Sequence, residues 1–295
     1  MFKMKGVVPP MITPFDREGN LDEVGLRALV TYLKENVDGL FITGSYGSGA
    51  LMNMDERKRV AEITTEVVNG KIPVITMIGT TNNRESIELA KHSESVGIKA
   101  VAAVGPYYFK HNRESLLKFY KDLIESVNIP VYLYNNPGFQ GYEIELDLLQ
   151  ELKSIGLAGV KDATFDIMKH ATYQRVLKDD NFDIALGTEA MWLEARVLGT
   201  EAFIPGLANA FPEICRKMYL EGMDNDYEKC KKTQFKVNKL RDVMYLAKST
   251  QLAIYAMLEI RGIVKCYPRG PFIGASEEEK EAIKNALIEL EMIDR

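Results

Sequence analysis

Short apolar, β-branched or aromatic runs recur along the chain at 6–12, 39–43, 73–78, 100–104, 130–134, 157–161, 183–186 and 202–204. Amphipathic stretches at 22–35, 55–68, 84–96 and 114–126 separate the first five. Asn53 and Asn82 precede two of these stretches, where a side-chain oxygen can accept from an unpaired N–H of the first helical turn. Gly97 follows the third, a position that favours a left-handed residue. The strand-like runs are almost continuously apolar, as expected of a parallel sheet covered on both faces. Eight strand–helix repeats predict an α/β fold, a (β/α)8 barrel; a doubly wound open sheet is the other arrangement the pattern allows. From Met223 onward only helix-like runs remain, at 227–246, 251–264 and 276–291. Ser276 with Glu278 and Glu279 gives the last of them an acidic first turn, which suits the positive helix end. No Gly/Ser/Pro linker separates this tail. The expectation is a barrel over 1–222 that carries the active site, with 223–295 packed on it as C-terminal helices.

Composition narrows the function classes. The 295 residues are 46% hydrophobic and 27% charged, enough for a large core. The net charge of −5 comes from mixed signs without a basic stripe, so no nucleic-acid partner is expected. No apolar run has the length of a membrane span, and residues 1–6 lack the apolar core of a signal peptide. Cys215, Cys230 and Cys266 form no CxxC pair, which suits reduced thiols and a cytoplasmic location. His92, His111 and His170 are scattered, so no metal site is expected. The glycine-rich segments match neither a dinucleotide fingerprint nor a P-loop.

The candidate chemistry begins at Lys161, which ends the apolar run in Gly156-Leu157-Ala158-Gly159-Val160-Lys161-Asp162. Such a lysine is either a solvated charge past the strand edge or an amine kept in a semi-apolar pocket for a carbonyl. Its company favours the second. Tyr134-Asn135-Asn136-Pro137 closes the preceding strand, and Gly44-Ser45-Tyr46-Gly47 closes a much earlier one. A nucleophilic amine, a phenol and a glycine-rich hydroxyl turn at strand C-termini suit carbonyl chemistry.

With the strand ends placed, the chain resembles the pyruvate-dependent class I aldolase family. That family includes dihydrodipicolinate synthase, N-acetylneuraminate lyase and 2-keto-3-deoxygluconate aldolase. The likeness spans nearly the whole chain. Its carriers are Ile12-Thr13-Pro14-Phe15, Gly44-Ser45-Tyr46-Gly47, Pro106-Tyr107-Tyr108, Tyr134-Asn135-Asn136-Pro137, Gly159-Val160-Lys161-Asp162 and Tyr267-Pro268-Arg269. The resemblance implies that Lys161 forms a Schiff base with pyruvate, with no cofactor beyond that covalent adduct. A free lysine is neutral only about once in 2,500 at pH 7, so the amine needs desolvation to react. Tyr134 is implied as the proton shuttle; otherwise it is a core aromatic with a satisfied hydroxyl. Ser45 and the N–H groups around Tyr46 and Gly47 are implied to hold the pyruvate carboxylate; otherwise they form an ordinary tight turn. Tyr108 is similar to an aromatic that crosses a subunit contact to complete the relay, which would require a homodimer or homotetramer. As a surface aromatic beside Tyr107 it would have no such role.

The departures bear on the second substrate, an aldehyde. In the dihydrodipicolinate synthase pattern an arginine stands two residues after the proline of the tyrosine motif and clamps a carboxylate. Here Phe139 stands there. The usual Gly-Thr-Thr-Gly-Glu turn is Gly44-Ser45-Tyr46-Gly47-Ser48-Gly49, with a phenol at the second hydroxyl position and no glutamate. Thr188 and Glu189 follow the seventh strand, where sugar-acid aldolases keep an acid for substrate hydroxyls; Glu189 is alternatively a helix N-terminal acid. Gly206 replaces a serine of the N-acetylneuraminate lyases. These features favour an aldolase for 2-keto-3-deoxy sugar acids. A 4-hydroxy-tetrahydrodipicolinate (dihydrodipicolinate) synthase is the next reading. N-acetylneuraminate lyase, a 2-keto-3-deoxy acid dehydratase and a non-catalytic 2-oxo-acid binding protein follow. If an arginine elsewhere clamps the aldehyde's carboxylate, Arg113 and Arg269 are the candidates.

Overall fold

A computed structural model describes residues 2–294. Its eight strands are β1 Gly6–Val7, β2 Leu40–Ile42, β3 Val74–Met77, β4 Ala100–Val104, β5 Val131–Asn135, β6 Gly159–Asp162, β7 Asp183–Leu186 and β8 Ala202–Phe203. All paired neighbours run parallel, in the order β1-β8-β7-β6-β5-β4-β3-β2. The remaining seam closes between β1 and β2. A parallel bridge joins Pro10 to Phe41, and the Met11 N–H donates to the Phe41 carbonyl at 2.9 Å. The sheet is therefore a closed barrel rather than an open doubly wound one.

The helices are α1 Glu23–Lys34, α2 Met54–Val68, α3 Asn83–Ser95, α4 Arg113–Ser126, α5 Pro137–Gln140, α6 Leu146–Ser154, α7 Ile167–Val176, α8 Trp192–Val197, α9 Pro212–Met223, α10 Tyr227–Val243, α11 Thr250–Ile260 and α12 Glu277–Glu289. Asn53 caps α2 through a capping box, Asn82 caps α3, and Ser276 caps α12 through a second box with Glu279. Gly97 has φ +88°, the left-handed value expected after α3. The first strand is shorter than its apolar run. Ladder pairing ends at Val7, because Pro9 and Pro10 have no N–H to donate.

Strand side chains alternate between two apolar environments. Phe41, Met77, Ala102, Tyr132, Tyr134, Ala185 and Ile204 fill the barrel interior. Leu133, Val160 and Ile184 pack outward under the helices in one cluster, and Leu40, Leu186 and Phe203 in another. Both faces are thus dry, which explains runs without polar alternation. At the bottom Asp183 accepts from the Tyr132 hydroxyl at 2.7 Å and from the Met4 N–H at 2.8 Å. Val237, Leu240, Leu252, Ile283 and Leu287 of the C-terminal helices share one core cluster with Phe203, Leu207 and Phe211 of the barrel.

Candidate active site

A cavity of about 420 Å³ opens at the C-terminal ends of the strands, the end where barrels of this kind carry their chemistry. Ser45, Tyr46, Tyr134, Lys161, Thr188, Glu189 and Gly206 all line it. Seven of the nine residues anticipated from sequence thus converge on one space.

Lys161 and Tyr134 are direct partners across the β5–β6 ladder. Residues 159 and 161 share the inward face, so the amine must enter the barrel rather than solvent. It is 3% exposed, and its Nζ lies 3.8 Å from the Tyr134 ring centre and 4.0 Å from that of Phe41. Burial pulls the amine below the ordinary lysine range, against an opposing pull from Tyr134. For Tyr134, burial is the largest influence and pushes the phenol up. The Lys161 charge and hydrogen bonds from Ser45 and Asn136 outweigh it, and the net direction is down. Asn136 donates to the Tyr134 hydroxyl at 2.9 Å, and Ser45 Oγ lies 3.4 Å from it. The Asn136 amide can only donate to this oxygen, whereas between Ser45 and Tyr134 either hydroxyl can be the donor.

The turn after β2 is compressed. A Cβ on Gly49 would lie 1.9 Å from the Thr43 carbonyl oxygen, so only glycine fits. The Ser48 and Gly49 N–H groups bond to the Ser45 and Gly44 carbonyls inside the turn. Those of Tyr46 and Gly47 have no acceptor among the described residues, the arrangement an anion-binding turn requires. Gly47 itself is buried and does not line the cavity. Its contribution is limited to the backbone.

Tyr108 does not join this group. It is 87% exposed, has φ +78°, and packs edge-on to Phe109 outside the cavity. Within one copy of the chain it is not part of the Tyr134 relay.

Glu189 is neither a free hydroxyl acceptor nor the first-turn acid of α8, whose first-turn acid is Glu194. It is 2% exposed, and its Oε2 accepts from the Gly206 N–H at 3.0 Å. Its Oε1 pairs with Arg241 at 3.2 Å. Burial pushes the Glu189 carboxyl up, and Arg241 pulls against it. Arg241 also reaches Thr188 Oγ1 at 3.4 Å and the Tyr245 hydroxyl at 3.0 Å, and it lines the cavity.

The arginine that lines the cavity is Arg241, not Arg113 or Arg269. Arg113 is held at the surface by Asp147 and Glu151, and the part-buried Arg269 is held by Glu56. No local motif marks Arg241, which sits among the charged and polar residues of α10, 52 residues from its partner. Thr250 at the start of α11 and Phe165 in the loop after β6 also line the cavity without a sequence signal. Phe165 has φ +58° and stays 56% exposed under the Arg241 guanidinium, 5.8 Å from its ring centre. Phe139 is 65% exposed at the same rim. Among the described residues no group of three or more His, Cys, Asp or Glu side chains is gathered as a metal site would need. Among those residues no helix is long and apolar enough to cross a membrane.

Comparison with known proteins agrees with this geometry. A family model described as the dihydrodipicolinate synthetase family matches residues 3–290. A 4-hydroxy-tetrahydrodipicolinate synthase of Methanospirillum hungatei is 33% identical over 287 residues, covering 96% of this chain and 98% of that protein. The structure of YagE, a family protein of E. coli K12 in complex with pyruvate, superposes with a TM-score of 0.94 at 26% identity, covering 98% of this chain and 99% of that one. KD(P)GA from T. tenax superposes with a TM-score of 0.89 at 27% identity, covering 97% and 99%.

Proposed function

The chain belongs to the dihydrodipicolinate synthetase family of pyruvate-dependent class I aldolases, and from that premise we propose that it makes or breaks the bond between pyruvate and an aldehyde through a Schiff base on Lys161. The observation that carries this reading is the buried amine directly opposite Tyr134. The neutral amine attacks C2 of pyruvate and water leaves to give an iminium. Loss of a C3 proton gives the enamine, which attacks the aldehyde carbon, and water then hydrolyses the product iminium to free Lys161. Tyr134 supplies the proton for the new hydroxyl and takes it back in cleavage, a role worth about 10²–10⁴-fold. Ser45 and the Tyr46 and Gly47 amides hold the pyruvate carboxylate. Thr188, Glu189 and Gly206 border the aldehyde. In this reading the barrel, 1–222, supplies the reacting groups. The helices of 223–295 supply Arg241 and Thr250, and Tyr108 joins the relay of a neighbouring copy in a homodimer or homotetramer.

Two acceptors fit different parts of the site. The hydroxyls of Thr164, Thr188 and Thr250 around the cavity, with Phe139 where a clamp would stand, favour a polyhydroxy aldehyde and hence a 2-keto-3-deoxy sugar acid. The second reading is a 4-hydroxy-tetrahydrodipicolinate synthase. It has the support of the curated relatives' name and of Arg241, a cation that can meet the carboxylate of aspartate semialdehyde. Condensation kinetics separate the two. The first reading expects a higher kcat/KM with glyceraldehyde than with aspartate semialdehyde. The reverse order replaces it with the synthase.

A further inference from the structure

Gly206 is glycine for a reason that lies outside its own backbone. It is absent from the residues with positive φ, so its conformation would accept a side chain. The obstacle is Tyr46. A Cβ at 206 would lie 2.7 Å from the Tyr46 Cζ and hydroxyl oxygen and 2.8 Å from Cε1. Neither partner is free to retreat. The Gly206 N–H is held by Glu189 at 3.0 Å and its carbonyl by the Asn209 amide at 3.0 Å. The Tyr46 hydroxyl donates to Thr250 Oγ1 at 2.9 Å, and its carbonyl accepts from Gln251 at 2.9 Å, so α11 pins the residue at both ends. Burial raises the Tyr46 phenol above its ordinary range, which keeps it neutral and a donor. Both residues line the cavity, with the phenol close enough to Glu189 and Arg241 to feel their charges.

We propose that Tyr46 and Gly206 form a matched pair that closes the β2–β8 side of the aldehyde chamber and restricts the acceptor to short, unbranched aldehydes. The ring fills the space that a smaller turn residue and a substituted 206 would leave to the tail of a longer substrate. The acceptor must then run along the remaining wall, past Thr188 and Arg241. This inference rests on the aldolase reading, and its test keeps the two apart.

Four proteins are compared: the parent, Tyr46→Ser, Gly206→Ala, and the double variant. Borohydride trapping with pyruvate reads the Schiff base independently of any aldehyde. Condensation with glyceraldehyde and with arabinose reads the chamber. Thermal unfolding reads the steric contact. Tyr46→Ser should shift the arabinose-to-glyceraldehyde ratio of kcat/KM upward by on the order of tenfold, the scale of a methylene-sized change in a pocket. Gly206→Ala alone should lower both kcat/KM values and Tm. The same change in the Tyr46→Ser background should cost little, a non-additive result. An unchanged ratio in a folded, trappable Tyr46→Ser protein overturns the proposal. So does an equal Gly206→Ala loss in both backgrounds, or adduct formation with turnover of neither aldehyde by all four. Failure of the parent to trap pyruvate overturns the aldolase reading instead, and the proposed pair with it as a determinant of specificity.

Discussion

Lys161, Tyr134 and Ser45 stand on or beside three strand ends of the sheet, whereas Arg241 and Thr250 reach the same cavity from α10 and α11. The first group is positioned by ladder register. Tyr134 and Lys161 face each other because β5 and β6 pair residue for residue, and no side-chain contact is needed to aim them. The second group is positioned by side-chain contacts: Glu189 with Arg241, Tyr46 with Thr250, and the Glu189 carboxylate with the Gly206 N–H. Backbone register changes little when one residue is replaced, while a wall of paired side chains changes with each partner. In the proposed reading, the pyruvate side is therefore the fixed part of this barrel, and the aldehyde side is the part a few substitutions can retune.

Substitutions that strike one side only would break or sharpen this contrast. The largest effect is expected for Lys161→Met, which removes the nucleophile. Turnover should fall by roughly 10⁴-fold or more, measured as pyruvate-dependent condensation. The fold should gain. Burial holds the amine below its ordinary value of 10.5, so between the two values the unfolded chain binds the extra proton and stability rises with pH. The variant should melt higher at neutral pH, on the order of 2–4 °C for each kcal/mol relieved. That advantage should shrink as pH climbs toward the ordinary lysine value. A lower Tm at every pH would contradict the desolvated amine.

Tyr134→Phe comes next. It keeps the ring against Lys161 and removes the proton, so turnover should drop by about 10²–10⁴-fold while the pyruvate adduct still forms. An unchanged rate would move proton transfer to another group. The smallest of the three effects is Arg241→Met. If the aldehyde side is separate, KM for pyruvate should hold while kcat/KM for aspartate semialdehyde falls. Loss of a hydrogen bond to a charged group costs about 1.5–3 kcal/mol, or roughly 10–150-fold. Glyceraldehyde should lose less. Glu189→Gln serves as the control for the carboxylate left buried without its partner. Equal losses for both aldehydes and for pyruvate would erase the distinction between the two sides.

The same contrast explains what could be read from sequence. The barrel was legible because strands dry on both faces leave apolar runs, and because Asn53, Asn82, Gly97 and Ser276 mark helix ends by local chemistry. Lys161, Tyr134 and Ser45 were legible because a strand end announces itself in its own neighbouring residues. Arg241 was not, since nothing near it in sequence shows that its partner is Glu189. For Glu189 the sequence leaves two readings, an acceptor for substrate hydroxyls or a helix N-terminal acid, because a carboxylate's occupancy depends on a distant cation. Phe139 shows in sequence only that no arginine stands at that one position. That absence did not tell whether a cation from another element lines the chamber, and one does. Tyr108 was placed by likeness alone, and the packing of a single copy gives it no partner in the cavity.

The most direct test of the account is reduction with borohydride in the presence of pyruvate, followed by peptide mass mapping. One stable pyruvate-derived addition is expected, on the peptide that contains Lys161. It should form readily near neutral pH, where an ordinary lysine is almost wholly protonated. Folded protein in excess pyruvate that carries no addition at Lys161, or carries it on another lysine, would contradict the central claim.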